Sequence, residues 1–240
     1  MKSTKPKKPF TLDDFEKGLM LAGIISPASV SDLRQREAVE ELDKEDSEEK
    51  KQLYFKRVVL AAEIASKLHQ EPTLGRVKFQ KLVYLCEHAA KMELQHRYQK
   101  QTAGPFDNKF MHSIAKELKR NKWFSVEEKI SNGIKRSQYV PLTNANGYKR
   151  YYQSYFSKDD QSIQTVIELF RRISSSDTEL AATVHACIQE LVENGQPVTL
   201  KALTTLFYAW SKAKIKFTEQ QIIDSAVWLK KIGFIQQDIL

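Results

Sequence analysis

Residues 75–122, GRVKFQKLVYLCEHAAKMELQHRYQKQTAGPFDNKFMHSIAKELKRNK, decide the fold of this chain. In the first half of the stretch, apolar residues recur at helical spacing while most charged residues fall elsewhere, which predicts an amphipathic helix. The apolar positions are Val77, Leu82, Leu85 and Ala89. Thr73, just before the stretch, is of a residue type that caps helices, and we expect it to cap this one.

A second helix follows a break at residues 103–106, AGPF. Glycine permits unusual dihedral angles and proline lacks an amide donor, so this segment ends the first pattern. Asp107 or Asn108 is the expected N-cap of the next helix. Its predicted inner face carries Phe110, Met111, Ile114 and Leu118, and its other face carries Lys109, Lys116, Lys119 and Arg120.

Two segments of this stretch resemble the signature of Panacea-type antitoxin domains. Residues 78–85, KFQKLVYL, followed by residues 104–106, GPF, are similar to the pattern KxQKLLYxA … YGPxx. The longer set LGRVKFQKLVYLCEH, AGPFDNKFMHSI and KWF is similar to a helical module found with type I restriction systems, including some specificity subunits. The resemblance covers residues 53–157, and its motif residues are Lys78, Gln80, Lys81, Leu82, Tyr84, Gly104, Pro105 and Phe106.

The resemblance implies a non-catalytic binding module of prokaryotic defence, associated with a restriction system. Its expected partner is a protein, either a restriction subunit or a toxin, and DNA is a further candidate. One alternative is an antitoxin-like protein that neutralises a cognate toxin, using the acidic segment at residues 40–49, ELDKEDSEEK. A winged-helix DNA-binding regulator and a scaffold protein are also compatible with these residues. The oligomeric state does not follow from the sequence.

The composition describes an ordinary water-soluble chain. Among 240 residues, 41% are hydrophobic and 28% charged, and the low glycine count of eight favours helices over a loop-rich sandwich. No apolar run reaches the roughly 20 residues that a membrane helix needs, and residues 1–9 lack the apolar core of a signal peptide. Cys86 and Cys187 lie in apolar helical patterns, which predicts buried thiols and a cytoplasmic protein.

The charge balance favours an anionic partner. The net charge is +8 and the pI is about 9.3, although the segment at residues 40–49 is acidic. Basic residues cluster after the second helix, and we predict them as phosphate contacts. They are Lys119, Arg120, Lys122, Lys135, Arg136, Lys149 and Arg150.

After Lys122, the apolar residues no longer recur at helical spacing but at roughly every second position. Residues 123–130, WFSVEEKI, and 134–141, IKRSQYVP, flank Asn132-Gly133, and Asn-Gly between β-prone runs predicts a hairpin. A helix pair followed by a hairpin is the outline of a winged helix. The alternative is a hairpin that serves packing alone.

An aromatic segment follows at residues 144–156, NANGYKRYYQSYF. Aromatic residues beside Lys149 and Arg150 could stack on nucleobases. Their i, i+3, i+4, i+7 spacing instead favours packing against a core. The tyrosines of this pattern are Tyr148, Tyr151, Tyr152 and Tyr155.

The predicted fold is mainly α, with helical lobes and a short β-hairpin in a winged-helix-like order. Residues 1–52 form a tail and a charged helical arm, 53–157 the Panacea-like domain, and 158–240 a C-terminal helical lobe. Helices are expected at residues 10–25, 30–51, 53–69, 163–173, 177–193, 200–210 and 219–232.

No recognisable catalytic or metal-binding pattern is present in the sequence. The five histidines show no HxxxH or HExxH spacing, and the P-loop, GxGxxG and GxSxG motifs are missing. The sequence therefore predicts no enzymatic activity, no cofactor and no metal.

Overall fold

The structure, a computed structural model, describes residues 27–92, 94, 97–131 and 134–235. Side chains are described from residue 48 onward within these ranges, except at 131, 134 and 135. The described residues are mainly helical with two small antiparallel strand pairs, which confirms the predicted fold class of helices with a short hairpin. The helix predicted at residues 10–25 and the Asn132-Gly133 turn lie outside them.

The helices, as the structure has them, are α1 Pro27–Leu68, α2 Arg76–Ala89, α3 Asn108–Arg120, α4 Lys149–Phe156, α5 Asp160–Phe170, α6 Ser175–Glu193, α7 Leu200–Trp210 and α8 Glu219–Lys231. A 3-10 helix at Lys212–Lys216 precedes α8. The strands are β1 Gln99–Gln101, β2 Gly104–Phe106, β3 Phe124–Ser131 and β4 Ile134–Pro141. β1 pairs with β2 and β3 pairs with β4, both antiparallel.

The chain divides into two units, Met1–Leu53 and Tyr54–Leu240. In the first unit, the described backbone is helical from residue 27 onward. The stretches predicted as helices at 30–51 and 53–69 are helical, but the break between them is wrong, because α1 runs without interruption from Pro27 to Leu68. No proline or glycine falls between residues 28 and 68 to interrupt it.

In the second unit, α2 forms the centre of the core and is covered on several sides. Phe79, Leu82 and Leu85 are fully buried, and α5 and α6 both pack against the helix. The helix begins at an N-cap of Gly75 with no side-chain cap, so the prediction that Thr73 caps it is wrong. The Thr73 hydroxyl instead donates to the Arg171 carbonyl oxygen.

α3 and the hairpin form as the local pattern predicts. Asp107 caps α3 by accepting a hydrogen bond from the Phe110 amide, and the helix buries Phe110, Ile114 and Leu118. The β3–β4 register pairs Phe124 with Pro141 at the base of the hairpin. The hairpin base is fixed to the core by buried aromatic residues, Trp123, Phe124 and Tyr139.

Of the helices that follow the hairpin, α6, α7 and α8 begin at side-chain caps, whereas α4 and α5 have no side-chain cap. Thr199 caps α7, and Thr218 with Gln221 forms the predicted capping box of α8. The expected cap of α6 at Ser176 or Asp177 is wrong, since Ser174 accepts the hydrogen bond from the Asp177 amide. The packing interpretation of the aromatic segment is confirmed by three buried rings, those of Tyr148, Tyr152 and Phe156.

Both cysteines are buried free thiols, as predicted. Burial raises the pKa of the Cys187 thiol to about 12, and it raises the pKa of Cys86 well above its usual value. Along the described part of the chain, no helix combines the length and apolar character needed to cross a bilayer.

Candidate nucleic-acid interface

The outer face of α3 is a continuous stripe of basic side chains. Lys109, His112, Lys116 and Lys119 are all exposed, and at 100° per residue they fall within an arc of about 80°. We call these four residues the α3 stripe. Glu117 is the only acidic residue of α3, which is described throughout, and it is paired with Arg120 at 2.7 Å. The stripe therefore presents positive charge without an interposed carboxylate.

A buried ion network fixes the N-terminus of α3 against the core. Arg57 of α1 donates to the Glu87 carboxylate at 2.6 Å and to the Asp107 carboxylate at 2.6 Å, and its guanidinium lies 4.0 Å from the Phe110 ring centroid. Burial lowers the pKa of Arg57, but the charge of Glu87, the interaction with Tyr98 and the hydrogen bonds to Glu87 and Asp107 together leave the pKa raised. Because Asp107 is also the N-cap, Arg57 sets where α3 begins and thus which face it turns outward.

The hairpin adds basic side chains beyond the end of α3. Lys129 and Arg136 are directly opposite each other in the register, and both are exposed. Like charges in such a pair disfavour the folded hairpin, and a bound anion would relieve the repulsion. Strands of eight residues span about 26 Å, so the pair lies well away from the hairpin base. Lys135 lies in β4 near the tip, and its side chain is outside the described part of the structure.

Backbone hydrogen bonds bring the α3 C-terminus beside the N-terminus of α4. Asn144 donates its amide to the Lys122 carbonyl oxygen, and the Trp123 ring lies 5.8 Å from that of Tyr148. Lys149 and Arg150 follow directly at the start of α4, and both are exposed. The structure thus places five predicted phosphate contacts on adjoining elements: Lys119, Arg120, Lys122, Lys149 and Arg150. Arg136 lies apart from them on the hairpin.

The motif lysines of α2 are buried, contrary to the expectation that charged residues fall outside its packed face. The Lys78 ammonium donates to three oxygens, the Thr73 hydroxyl at 2.6 Å and the carbonyls of Arg171 and Ile173 at 2.9 and 2.8 Å. Burial lowers the Lys78 pKa to about 8. Three acceptors for three protons explain why a lysine is tolerated here. Lys78 joins α2 to the α5–α6 connection.

Lys81 joins α2 to the Gly-Pro segment. Its ammonium donates to the Pro105 carbonyl oxygen at 2.7 Å. Burial, together with the nearby charge of Lys214, lowers the pKa of Lys81 to about 7. Gly104 has a φ of +97°, and a Cβ there would lie 2.6 Å from the Thr183 hydroxyl. Glycine is therefore required at this close approach.

The other motif residues also serve packing. Leu82 and Pro105 are buried, whereas Gln80 and Phe106 are partly exposed. The Tyr84 hydroxyl forms a hydrogen bond with Nδ1 of His185 at 2.9 Å. The sequence motif thus marks the contacts between α2, β2 and α6.

Sequence reasoning omitted Lys109, His112 and Lys116 from the candidate contacts. Their recurrence opposite Phe110, Ile114 and Leu118 was the pattern that could have identified them. No three or more His, Cys, Asp or Glu side chains converge as metal ligands within the described residues.

Comparisons with protein-family models and with curated proteins found no match to the chain. The resemblance to Panacea-type domains and to restriction-associated modules therefore stays a prediction.

Proposed function

We propose that this protein is a non-catalytic module that binds duplex DNA through the α3 stripe and the β3–β4 hairpin. The observation that carries the proposal is the stripe itself, an exposed basic helix face with its apolar face held in the core. An α-helix fits the DNA major groove, and lysine side chains along it reach the flanking phosphates.

The hairpin extends the contact along the duplex. Lys129 and Arg136 supply two cations at the far end of the hairpin, beyond the Lys122 turn that joins it to α3. Three stripe lysines, Lys122 and these two residues give six candidate phosphate contacts. The binding face is rich in lysine and holds few hydrogen-bonding groups suited to reading bases, which favours sequence-tolerant binding.

The test compares two triple variants in fluorescence anisotropy with a labelled 20-base-pair duplex. The stripe variant is Lys109→Gln/Lys116→Gln/Lys119→Gln, and the control is Lys201→Gln/Lys212→Gln/Lys231→Gln, which removes the same charge from exposed positions in and around α7 and α8. Loss of three phosphate contacts is expected to weaken binding about 100-fold near 0.1 M salt, with the control close to the intact protein. Equal effects of the two variants would show that binding depends on net charge alone and would contradict the proposed DNA-binding face.

That the chain binds a protein partner is a separate prediction, which rests on the resemblance to Panacea-type and restriction-associated modules. Co-purification from the native host distinguishes its two forms, because a restriction subunit supports the restriction-associated module and a small toxin supports the antitoxin. In the acidic segment at residues 40–49, the backbone is helical, and the side chains of 40–47 lie outside the described part of the structure. Its role is tested by the same co-purification after the acidic residues are changed to glutamine and asparagine.

A further inference from the structure

The second unit contains a cleft of about 680 Å³ that none of the proposed DNA contacts lines. It lies between the end of α2, the length of α5, the second half of α6 and the segment at residues 232–235. This volume is within the range of small-molecule sites. The cleft is therefore a candidate ligand site that is independent of DNA binding.

One wall of the cleft is built from aromatic rings. The His88 and His185 ring centroids are 4.7 Å apart at 73°, and the Phe234 ring is 5.0 Å from that of His185. Nδ1 of His185 forms a hydrogen bond with the Tyr84 hydroxyl, so Nε2 is the ring nitrogen that could bind a ligand in the cleft. His185 is 2% exposed, and no described side chain or backbone group forms a hydrogen bond with Nε2. An imidazole nitrogen without a protein partner can form a hydrogen bond with a ligand in the cleft.

The cleft has largely uncharged walls and one cation at its edge, which suits a ligand with an anionic tail. Burial lowers the pKa of His88 to about 4, and burial beside His88 lowers that of His185 well below its usual value, so both imidazoles are neutral at pH 7. Lys91, exposed at the edge, is the only charged side chain that lines the cleft among the described residues. A phosphate at the edge would meet this ammonium.

Two amides supply paired donors and acceptors. Gln161 at the start of α5 and Gln189 of α6 both line the cleft. A glutamine amide can form two hydrogen bonds with the N6/N7 edge of adenine. Aromatic rings, in turn, stack on a base of any sequence. Apolar contacts from Val166 and Leu169 complete a site for a planar ring.

We propose that this cleft binds a purine nucleotide, with the base against His88, His185 and Phe234 and the phosphate toward Lys91. The base would satisfy the open nitrogen of His185, and one of the two glutamines would read the base edge. The site needs no rearrangement of α3 or the hairpin, because none of its lining residues belongs to them.

Calorimetric titration of the full chain with adenosine 5′-monophosphate, adenosine and ribose 5-phosphate tests the ligand class. At about −0.3 kcal/mol per non-hydrogen atom, adenosine 5′-monophosphate is expected to bind with a Kd on the order of 10 μM. Adenosine is expected to bind about tenfold more weakly, which is the expected contribution of one phosphate–ammonium pair. Failure of adenosine 5′-monophosphate to bind at millimolar concentration overturns the proposal, as does equally tight binding of ribose 5-phosphate.

Variants locate the site. Lys91→Gln is expected to weaken adenosine 5′-monophosphate about tenfold and leave adenosine unchanged, since only the phosphate contact is lost. His185→Phe keeps the ring and is expected to weaken both ligands, and Gln189→Leu serves if that variant does not fold. The triple α3-stripe variant is expected to bind both ligands normally. Loss of nucleotide binding in the stripe variant would place the ligand on the DNA face and overturn the site.

The chain continues from Ile235, a lining residue, into residues 236–240. A full-length protein and a variant ending at Ile235 are expected to bind adenosine 5′-monophosphate equally. Binding only by the shortened variant would show that the cleft takes the chain's own C-terminal segment, and the nucleotide proposal would fall.

Discussion

The lysines of α2 and the lysines of α3 have opposite environments. Lys78 and Lys81 are 0% exposed and donate to protein oxygens, whereas Lys116 and Lys119 are exposed. The two helices differ in how much of their surface is packed against other elements. α2 is packed against several elements and must supply partners for every polar group, while α3 is packed on one face and keeps its charge available. Similar residue types therefore stabilise the fold in one helix and offer a binding surface in the other.

The first prediction concerns the ion network that holds these two helices together. Arg57→Met is expected to lower the free energy of unfolding by about 3–5 kcal/mol, because it leaves the Glu87 and Asp107 carboxylates buried without their guanidinium. Urea denaturation measures the loss. Lys116→Met, on the exposed face, is the matched control and is expected to change stability by less than about 0.5 kcal/mol. Similar small effects of both variants would contradict the structural role of Arg57.

The second prediction concerns the close approach at the Gly-Pro segment. Gly104→Ala is expected to cost about 2 kcal/mol, because its φ of +97° and its contact with Thr183 both oppose a Cβ. Gly75→Ala is the control, since an added Cβ meets nothing within 4 Å and φ is −114°. The control is expected to cost less than about 1 kcal/mol in the same denaturation experiment, because its only penalty is that alanine is a poorer N-cap than glycine. A tolerated alanine at 104 would show that α6 does not constrain this segment.

The third prediction uses the pKa of Lys81. Its folded-state pKa is about 7 and its ordinary value is 10.5, so the unfolded state binds more protons between these values. The free energy of unfolding therefore rises with pH from 7 upward, by up to about 2 kcal/mol between pH 7 and 9. Lys81→Met is expected to reduce this rise to the smaller part that Lys78, with its pKa of about 8, contributes, whereas Lys116→Met is expected to keep the full rise. An identical pH profile for Lys81→Met and the intact protein would rule out a lowered pKa.

The smallest effect on stability is expected at the hairpin. Lys129→Glu replaces a like-charge pair with Arg136 by an opposite-charge pair, which is expected to stabilise the hairpin by about 0.5 kcal/mol. The same change is expected to weaken duplex binding about tenfold or more, because it replaces a cation near the phosphates by an anion. Thermal unfolding and anisotropy measure the two effects. An unchanged affinity of Lys129→Glu for the duplex would show that the hairpin is not part of the DNA-binding face.

Features with a local cause could be predicted from the sequence. The Asp107 cap, the inner face of α3 and the β3–β4 pairing all depend on residues close in the chain, and the structure confirms them. The same holds for the capping box of Thr218 and Gln221.

Features that depend on residues distant in the chain could not be predicted from the sequence. Two of the three acceptors of Lys78 lie 93 and 95 residues away along the chain, and Thr73 donates to the same segment instead of capping α2. The cleft combines residues from 88 to 235, so no stretch of sequence predicts it. The basic stripe is intermediate, because its spacing is local but its exposure depends on how α3 packs.

The affinity of the intact protein for a 20-base-pair duplex between 50 and 200 mM salt tests DNA binding most directly. With six phosphate contacts, the logarithm of the association constant is expected to fall linearly against the logarithm of salt concentration, with a slope of about −5. This corresponds to roughly a 1,000-fold loss over the range. Binding that stays within threefold across the range, or no binding at 50 mM, would contradict the assignment of α3 and the hairpin as a DNA-binding face.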